Sequence, residues 1–128
     1  MPQREVIATD NAPAAIGPYS QAIRAGHFLF TAGQLGIRPD TGKLVSGDAA
    51  AQADQALRNL SAILEEAGSS LSQVVKTTVF LADISEYPAV NAVYAGFFRE
   101  EPPARSVAQA AALPWGAHVE IEVIALIN

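Results

Sequence analysis

Two side chains near the C-terminal end of this 128-residue chain have the chemistry to bind and turn over a small anion. Arg105 sits in a strand-like run, Ala104 to Ala111, just after the paired prolines Pro102 and Pro103. Its guanidinium fork matches a carboxylate in geometry as well as in charge. Glu120 lies on a second strand, His118 to Leu126, beyond the break Leu113-Pro114-Trp115-Gly116. A carboxylate buried enough for its pKa to rise would be a usable general base. Each residue also has a plainer reading. Arg105 suits a surface or interface ion pair. Glu120, with Glu122 and His118, suits the solvated face of a half-buried strand whose other face is Val119, Ile121 and Val123. Periodicity alone leaves both open.

Spacing narrows the geometry. A plain hairpin folding about Pro114-Trp115 would set Arg105 opposite Ile124, leaving Glu120 four residues away, roughly 13 Å at the strand rise. A simple hairpin therefore builds no joint site. Either another strand intervenes, or a second subunit supplies part of the site.

The elements that must position these groups follow from pattern. Arg4 to Ala8 and Ser20 to Arg24 read as short strands, with a Pro/Gly-rich loop from Thr9 to Pro18 between them. After the Ala25-Gly26 turn, HFLFTAG alternates, Phe28, Phe30 and Ala32 against His27, Leu29 and Thr31. Leu35 to Gly47 is irregular and contains a type I turn signal at Pro39-Asp40-Thr41-Gly42. Asp48 suits a helix N-cap or a first-turn acid. Ala53, Ala56, Leu57, Leu60, Leu64 and Ala67 then form a helical apolar stripe with Gly68 at C′, while Gln52, Gln55, Arg58, Asn59 and Glu66 lie mainly off it. Val74 to Leu81 is a β-branched strand, with Val75, Thr77 and Val79 alternating against Lys76 and Thr78. A second helix begins near Pro88, buries Tyr87, Val90, Tyr94, Phe97 and Phe98, and stops before Glu100-Glu101-Pro102-Pro103. The order β-β-β-α-β-α-β-β implies an α+β fold: one mixed sheet, two helices on one face, and some parallel pairing.

Composition sets the outer bounds. The length suits one domain, spanning residues 1–128. Half the residues are hydrophobic and 16% are charged, so a packed core is expected, with surface hidden in an oligomer. A net charge of −5 disfavours nucleic acid as a general partner. The absence of cysteine removes disulfides, thiol nucleophiles and thiolate metal sites. No apolar run reaches membrane-spanning length and the first residues do not read as a signal peptide, so a cytoplasmic protein is expected. His27 and His118 lack metal-ligand spacing, and Gly33-Gln34-Leu35-Gly36 is no phosphate loop. Ser20 and Ser106 have no nearby base. Tyr19, after Gly17-Pro18, either lines a pocket or packs.

Five segments together resemble one family. They are Gly17-Pro18-Tyr19-Ser20-Gln21-Ala22; Thr31-Ala32-Gly33-Gln34; Asn91 ahead of Tyr94 and Phe97-Phe98; Pro103-Ala104-Arg105-Ser106; and Leu113-Pro114 with Val119-Glu120-Ile121-Glu122. In this order, over essentially the whole chain, they are similar to the Rid proteins, the YjgF/RidA family of enamine/imine deaminases. The resemblance implies a chorismate-mutase-like fold with a single six-stranded sheet, a homotrimer with clefts between subunits, and no cofactor or metal. It implies hydrolysis of 2-iminopropanoate and 2-iminobutanoate to 2-keto acids and ammonia. Arg105 would clamp the substrate carboxylate with backbone help near Gly33 and Val107, Glu120 would activate water, and Tyr19 would bound the pocket, with Asn91 also at the substrate site. Val107 stands where many members have cysteine, so thiol chemistry at that position is excluded. Other outcomes within reach are a Rid-type deaminase of a different small amino or imino acid, and a non-catalytic metabolite-binding or chaperone-like trimer. A ribonuclease is disfavoured by the acidic charge and by the lack of a paired-histidine site.

Overall fold

The computed structural model describes residues 3–128. Its strands are β1 (Arg4–Ile7), β2 (Ala22–Ala25), β3 (Phe28–Thr31), β4 (Val74–Leu81), β5 (Ala104–Gln109) and β6 (Val119–Leu126). Two helices join them, α1 (Ala49–Glu66) and α2 (Tyr87–Phe97). The strands form one sheet in the order β1-β2-β3-β6-β4-β5, so the expected mixed six-stranded α+β architecture is present. Only β4 and β5 pair in parallel, across the α2 crossover; every other neighbour is antiparallel.

The order explains why no hairpin forms at Pro114. Strand β4 inserts between β5 and β6, pairing Thr77 with both Arg105 and Val123 and Phe80 with Glu120. A strand is the intervening element that the spacing of Arg105 and Glu120 called for.

Helix α1 is specified locally and then held by burial. Asp48 accepts a hydrogen bond from the Ala51 N–H, the N-cap its sequence position suggested. At the other end Gly68 takes φ +82°, and the Gly68 and Ser69 N–H groups donate back to Glu65 and Leu64, so the helix stops where glycine permits a left-handed residue. Its alanine-rich stripe packs with Leu57, Leu60, Ile63 and Leu64 against Val119, Ile121, Val123 and Ala125 of β6 in one core. Each large aliphatic side chain buried there contributes about 1.5–3 kcal/mol over exposure.

Two expectations change. Gln52 and Asn59, taken as off the stripe, are buried. Each caps a backbone group that would otherwise be orphaned: Gln52 Oε1 accepts from the His118 N–H at 2.8 Å, and Asn59 Nδ2 donates to the Leu35 and Ile37 carbonyls at 3.2 and 2.8 Å. Val75 does not share a face with Thr77 and Val79. A register shift between Val74 and Lys76 turns it outward and leaves Val74 buried, because one extra residue reverses the two-residue alternation.

Candidate active site

The structure divides the candidate residues between the two faces of the sheet. On the helix side, Thr77 Oγ1 and Tyr94 Oη are hydrogen-bonded at 2.7 Å. Arg105, opposite Thr77 in the ladder, points to the same side. There Arg105 Nη1 donates to Asn91 Oδ1 at 2.8 Å and Nη2 donates to the Tyr87 hydroxyl at 2.6 Å. Its guanidinium carbon also lies 4.6 Å from the Tyr94 ring centre, a cation–π contact. Asn91 and Tyr87 are four residues apart on α2, one helical turn, which is why both reach one guanidinium. Two of the five N–H donors are thereby used, and the cation is fixed before any ligand arrives.

Glu120 lies on the other face. It pairs with Phe80, three residues along β4 from Thr77, so strand alternation turns it away from α1 and α2. Across two strand spacings and three residues, its Cα is roughly 14 Å from that of Arg105. Within one chain the proposed clamp and base do not converge, and a single copy does not assemble the site that the sequence suggested.

What Glu120 does meet is a cavity of about 530 Å³. Its lining includes Tyr19, Gly33, Ile16, Pro13, Trp115 and Glu120 itself. The local fold makes room for the carboxylate. Phe30 pairs with Ile124, but the next bridge joins Gln34 to Ile121, so the β3 side carries one residue more than β6. That bulge carries Gly33 over the Glu120 side chain. A Cβ at Gly33 would lie 2.4 Å from Glu120 Oε2, so only glycine leaves the carboxylate where it is. Thr31 secures the bulge by accepting the Val123 N–H at 3.0 Å, and Gln34 exchanges two backbone hydrogen bonds with Ile121.

Burial raises the Glu120 pKa above the usual carboxylate value, and the neighbouring Glu122 adds to the shift by like-charge repulsion. Among the described residues, no group donates a hydrogen bond to this carboxylate to offset the effect. Half-buried and without a donor to hold its ionised form, it has the character of a proton-abstracting group.

Tyr19 and Gly33 thus join Glu120, while Asn91 joins Arg105. Val107 follows Arg105 on the helix-side face of β5, where its side chain packs against the main core. His118 pairs with Glu86 at 3.0 Å. Among the described residues, no group of three or more His, Asp or Glu could hold a metal ion. Four supporting residues carry no signal of this role in the sequence pattern. Tyr87 was assigned to packing only. Gln21, buried, binds Thr9, Ala12 and Pro13 and so shapes one cavity wall. Asn59 holds the loop at Leu35 and Ile37 that forms another, and Gln52 fixes the chain at His118; the two are seven residues apart, two helical turns, a spacing that could have marked them as one face.

Residues 9–127 match the family described as Endoribonuclease L-PSP. The chain is 52% identical over 122 residues to a RutC family protein from Pyrococcus horikoshii, covering 95% of this chain and 97% of that one. It is 49% identical over 123 residues to human 2-iminobutanoate/2-iminopropanoate deaminase, covering 96% and 90%. The crystal structure of Escherichia coli TdcF with bound serine superposes with a TM-score of 0.91 at 40% identity, covering 97% and 99% of the two chains. The chain belongs to the Endoribonuclease L-PSP family, the group also known as YjgF/RidA.

Proposed function

We propose that this protein is a 2-imino acid deaminase, acting on 2-iminopropanoate and 2-iminobutanoate. In this reading Arg105 of one copy and Glu120 of another form each site in a homotrimer. The observation that carries it is Glu120: a half-buried carboxylate with a raised pKa, without a hydrogen-bond donor, at the wall of a cavity. The human relative's name gives the substrate class.

The chemistry needs little beyond placement. Arg105 holds the substrate carboxylate through its remaining donors. Glu120 takes a proton from water as the oxygen attacks the imine carbon, giving a carbinolamine. The same carboxyl returns that proton to nitrogen to complete the neutral carbinolamine, then relays the carbinolamine hydroxyl proton to nitrogen as the C–N bond breaks, and a 2-keto acid and ammonia leave. General-base catalysis of this kind contributes about 10²- to 10⁴-fold. Neutral water and a neutral imine balance without a redox partner or cofactor.

A partner copy is favoured by the face on which Glu120 sits. Val6, Ile23, Phe30 and Ile124 are successive ladder partners across four strands on that side. Phe28 and Phe30 are 43% and 44% exposed there. A contiguous apolar sheet face of this kind suits burial against another subunit. The ribonuclease in the family's description has less support, since the chain is acidic and His27 and His118 do not form a pair.

The test mixes two disabled variants. Arg105→Ala and Glu120→Gln should each lose at least about 10²-fold in kcat/KM on imine released by a serine/threonine dehydratase. In randomly mixed oligomers, about a quarter of the sites would pair an intact Arg105 with an intact Glu120, restoring that share of activity. Activity without restoration would sink the shared site, and wild-type protein that does not accelerate imine loss would sink the deaminase.

A further inference from the structure

We propose that the cavity beside Glu120 is a subsite for a large apolar or aromatic substrate side chain, and that Trp115 is its selectivity-determining residue. The inference rests on the deaminase reading and extends it to 2-imino acids bulkier than those derived from alanine or 2-aminobutyrate.

Size is the first argument. An alanine-derived imino acid has about six heavy atoms, whereas the cavity, at about 530 Å³, falls in the range that takes drug-sized ligands. Wall chemistry is the second. Trp115, Ile16, Tyr19, Pro13 and Pro39 supply broad apolar surface, and Glu120 is the only charged residue among the lining groups. From this chain an acidic side chain would meet a like charge there, and a cationic one would engage the base itself. An apolar chain or a ring matches what remains.

Trp115 is the third. It takes φ +61°, ψ 19°, a left-handed backbone that a bulky residue adopts only under constraint. The constraint is visible. Ala117 donates its N–H to the Pro114 carbonyl at 3.1 Å, and Leu113 and Ala117 on either side pack with Leu35 and Ile37 in a small second core. A turn pinned at both ends therefore presents the indole outward, 58% exposed, beside a cavity. Strained residues held this way cluster where a ligand is gripped. An indole supplies a large, rigid contact surface at low entropic cost.

The test generates imines from alanine, leucine and phenylalanine with an L-amino acid oxidase and follows their loss in competition with semicarbazide. The readout is the ratio of kcat/KM for the phenylalanine imine to that for the alanine imine. Trp115→Gly should lower this ratio about ten-fold or more, since removing apolar contact from a pocket discriminates on that scale. Glycine adopts the positive φ without strain, so the ring is deleted without backbone cost. Ile16→Ala, at a side chain too exposed to matter for folding, should lower the ratio less, in the same direction. A ratio unchanged in both variants overturns the subsite. So does a change of oligomeric mass on Trp115→Gly, which would make the indole an interface residue. Failure of wild-type protein on all three imines, alanine's included, would remove the deaminase reading itself; activity on the alanine imine alone removes only the subsite.

Discussion

The cation and the carboxylate are built on opposite plans. Arg105 is braced: Asn91, Tyr87 and the Tyr94 ring hold it, and Tyr94 is tied in turn to the buried Thr77. Glu120 has no such brace. It is half-buried, accepts no hydrogen bond from the described residues, and is crowded by Glu122. The contrast follows from the tasks proposed for each. A clamp must hold one geometry, and every contact that fixes the fork reduces what is lost on binding. A base must exchange a proton, and each donor aimed at its ionised form would lower its pKa and its use. Rigidity sits on the helix-backed face, and reactivity on the open one.

That comparison can be broken at three places. The largest effect is expected at Gly33. Gly33→Ala puts a methyl against Glu120 Oε2, and the flexible carboxylate will swing aside rather than the sheet open. A displacement of about 1 Å costs on the order of 10²-fold. So kcat should fall by about that factor while thermal unfolding changes little; an equal loss of stability would show that the glycine serves the fold instead. Next comes Tyr87→Phe, which deletes one of the two hydrogen bonds to the guanidinium. A single net hydrogen bond of about 1 kcal/mol predicts about a five-fold rise in KM with kcat nearly kept. A matching fall in kcat would mean that Tyr87 acts in chemistry.

The smallest effect is expected at Glu122. Glu120 works ionised, so kcat/KM should fall as pH drops through its raised pKa. Glu122→Gln removes the repulsion that supplies part of the shift, which moves this acid limb to lower pH and leaves the plateau in place. A limb that stays put would assign it to another group. The sign for stability is the reverse of the ordinary salt-bridged carboxylate. With its folded pKa raised, Glu120 favours the native state below its unfolded value, and that contribution is lost as pH rises through the folded one.

Much of this was legible in the chain. Helix α1 announced itself through Asp48, the apolar stripe and Gly68, because caps and periodicity are local. Strands β4 and β6 and their faces followed from alternation, and Glu120 on the polar face of β6 is where the pattern put it. The Val75 face was misread because a bulge has no signature in an unbroken β-branched run. Gln52 and Asn59 were misread because composition ranks them as surface residues, whereas the backbone groups they satisfy lie 66 residues away at His118 and more than 20 away at Leu35 and Ile37.

The sequence by itself determined the residue types that can do this chemistry and the secondary structure that carries them. It also showed that a plain hairpin could not unite Arg105 with Glu120. Only the tertiary structure decided that β4 separates them, that they face opposite sides of the sheet, and that a glycine bulge opens space for the carboxylate. The division has a physical cause. Spacing along one strand sets which side a residue faces within that strand, but which strand lies beside it is settled by long-range burial of the whole core, to which no local pattern has access.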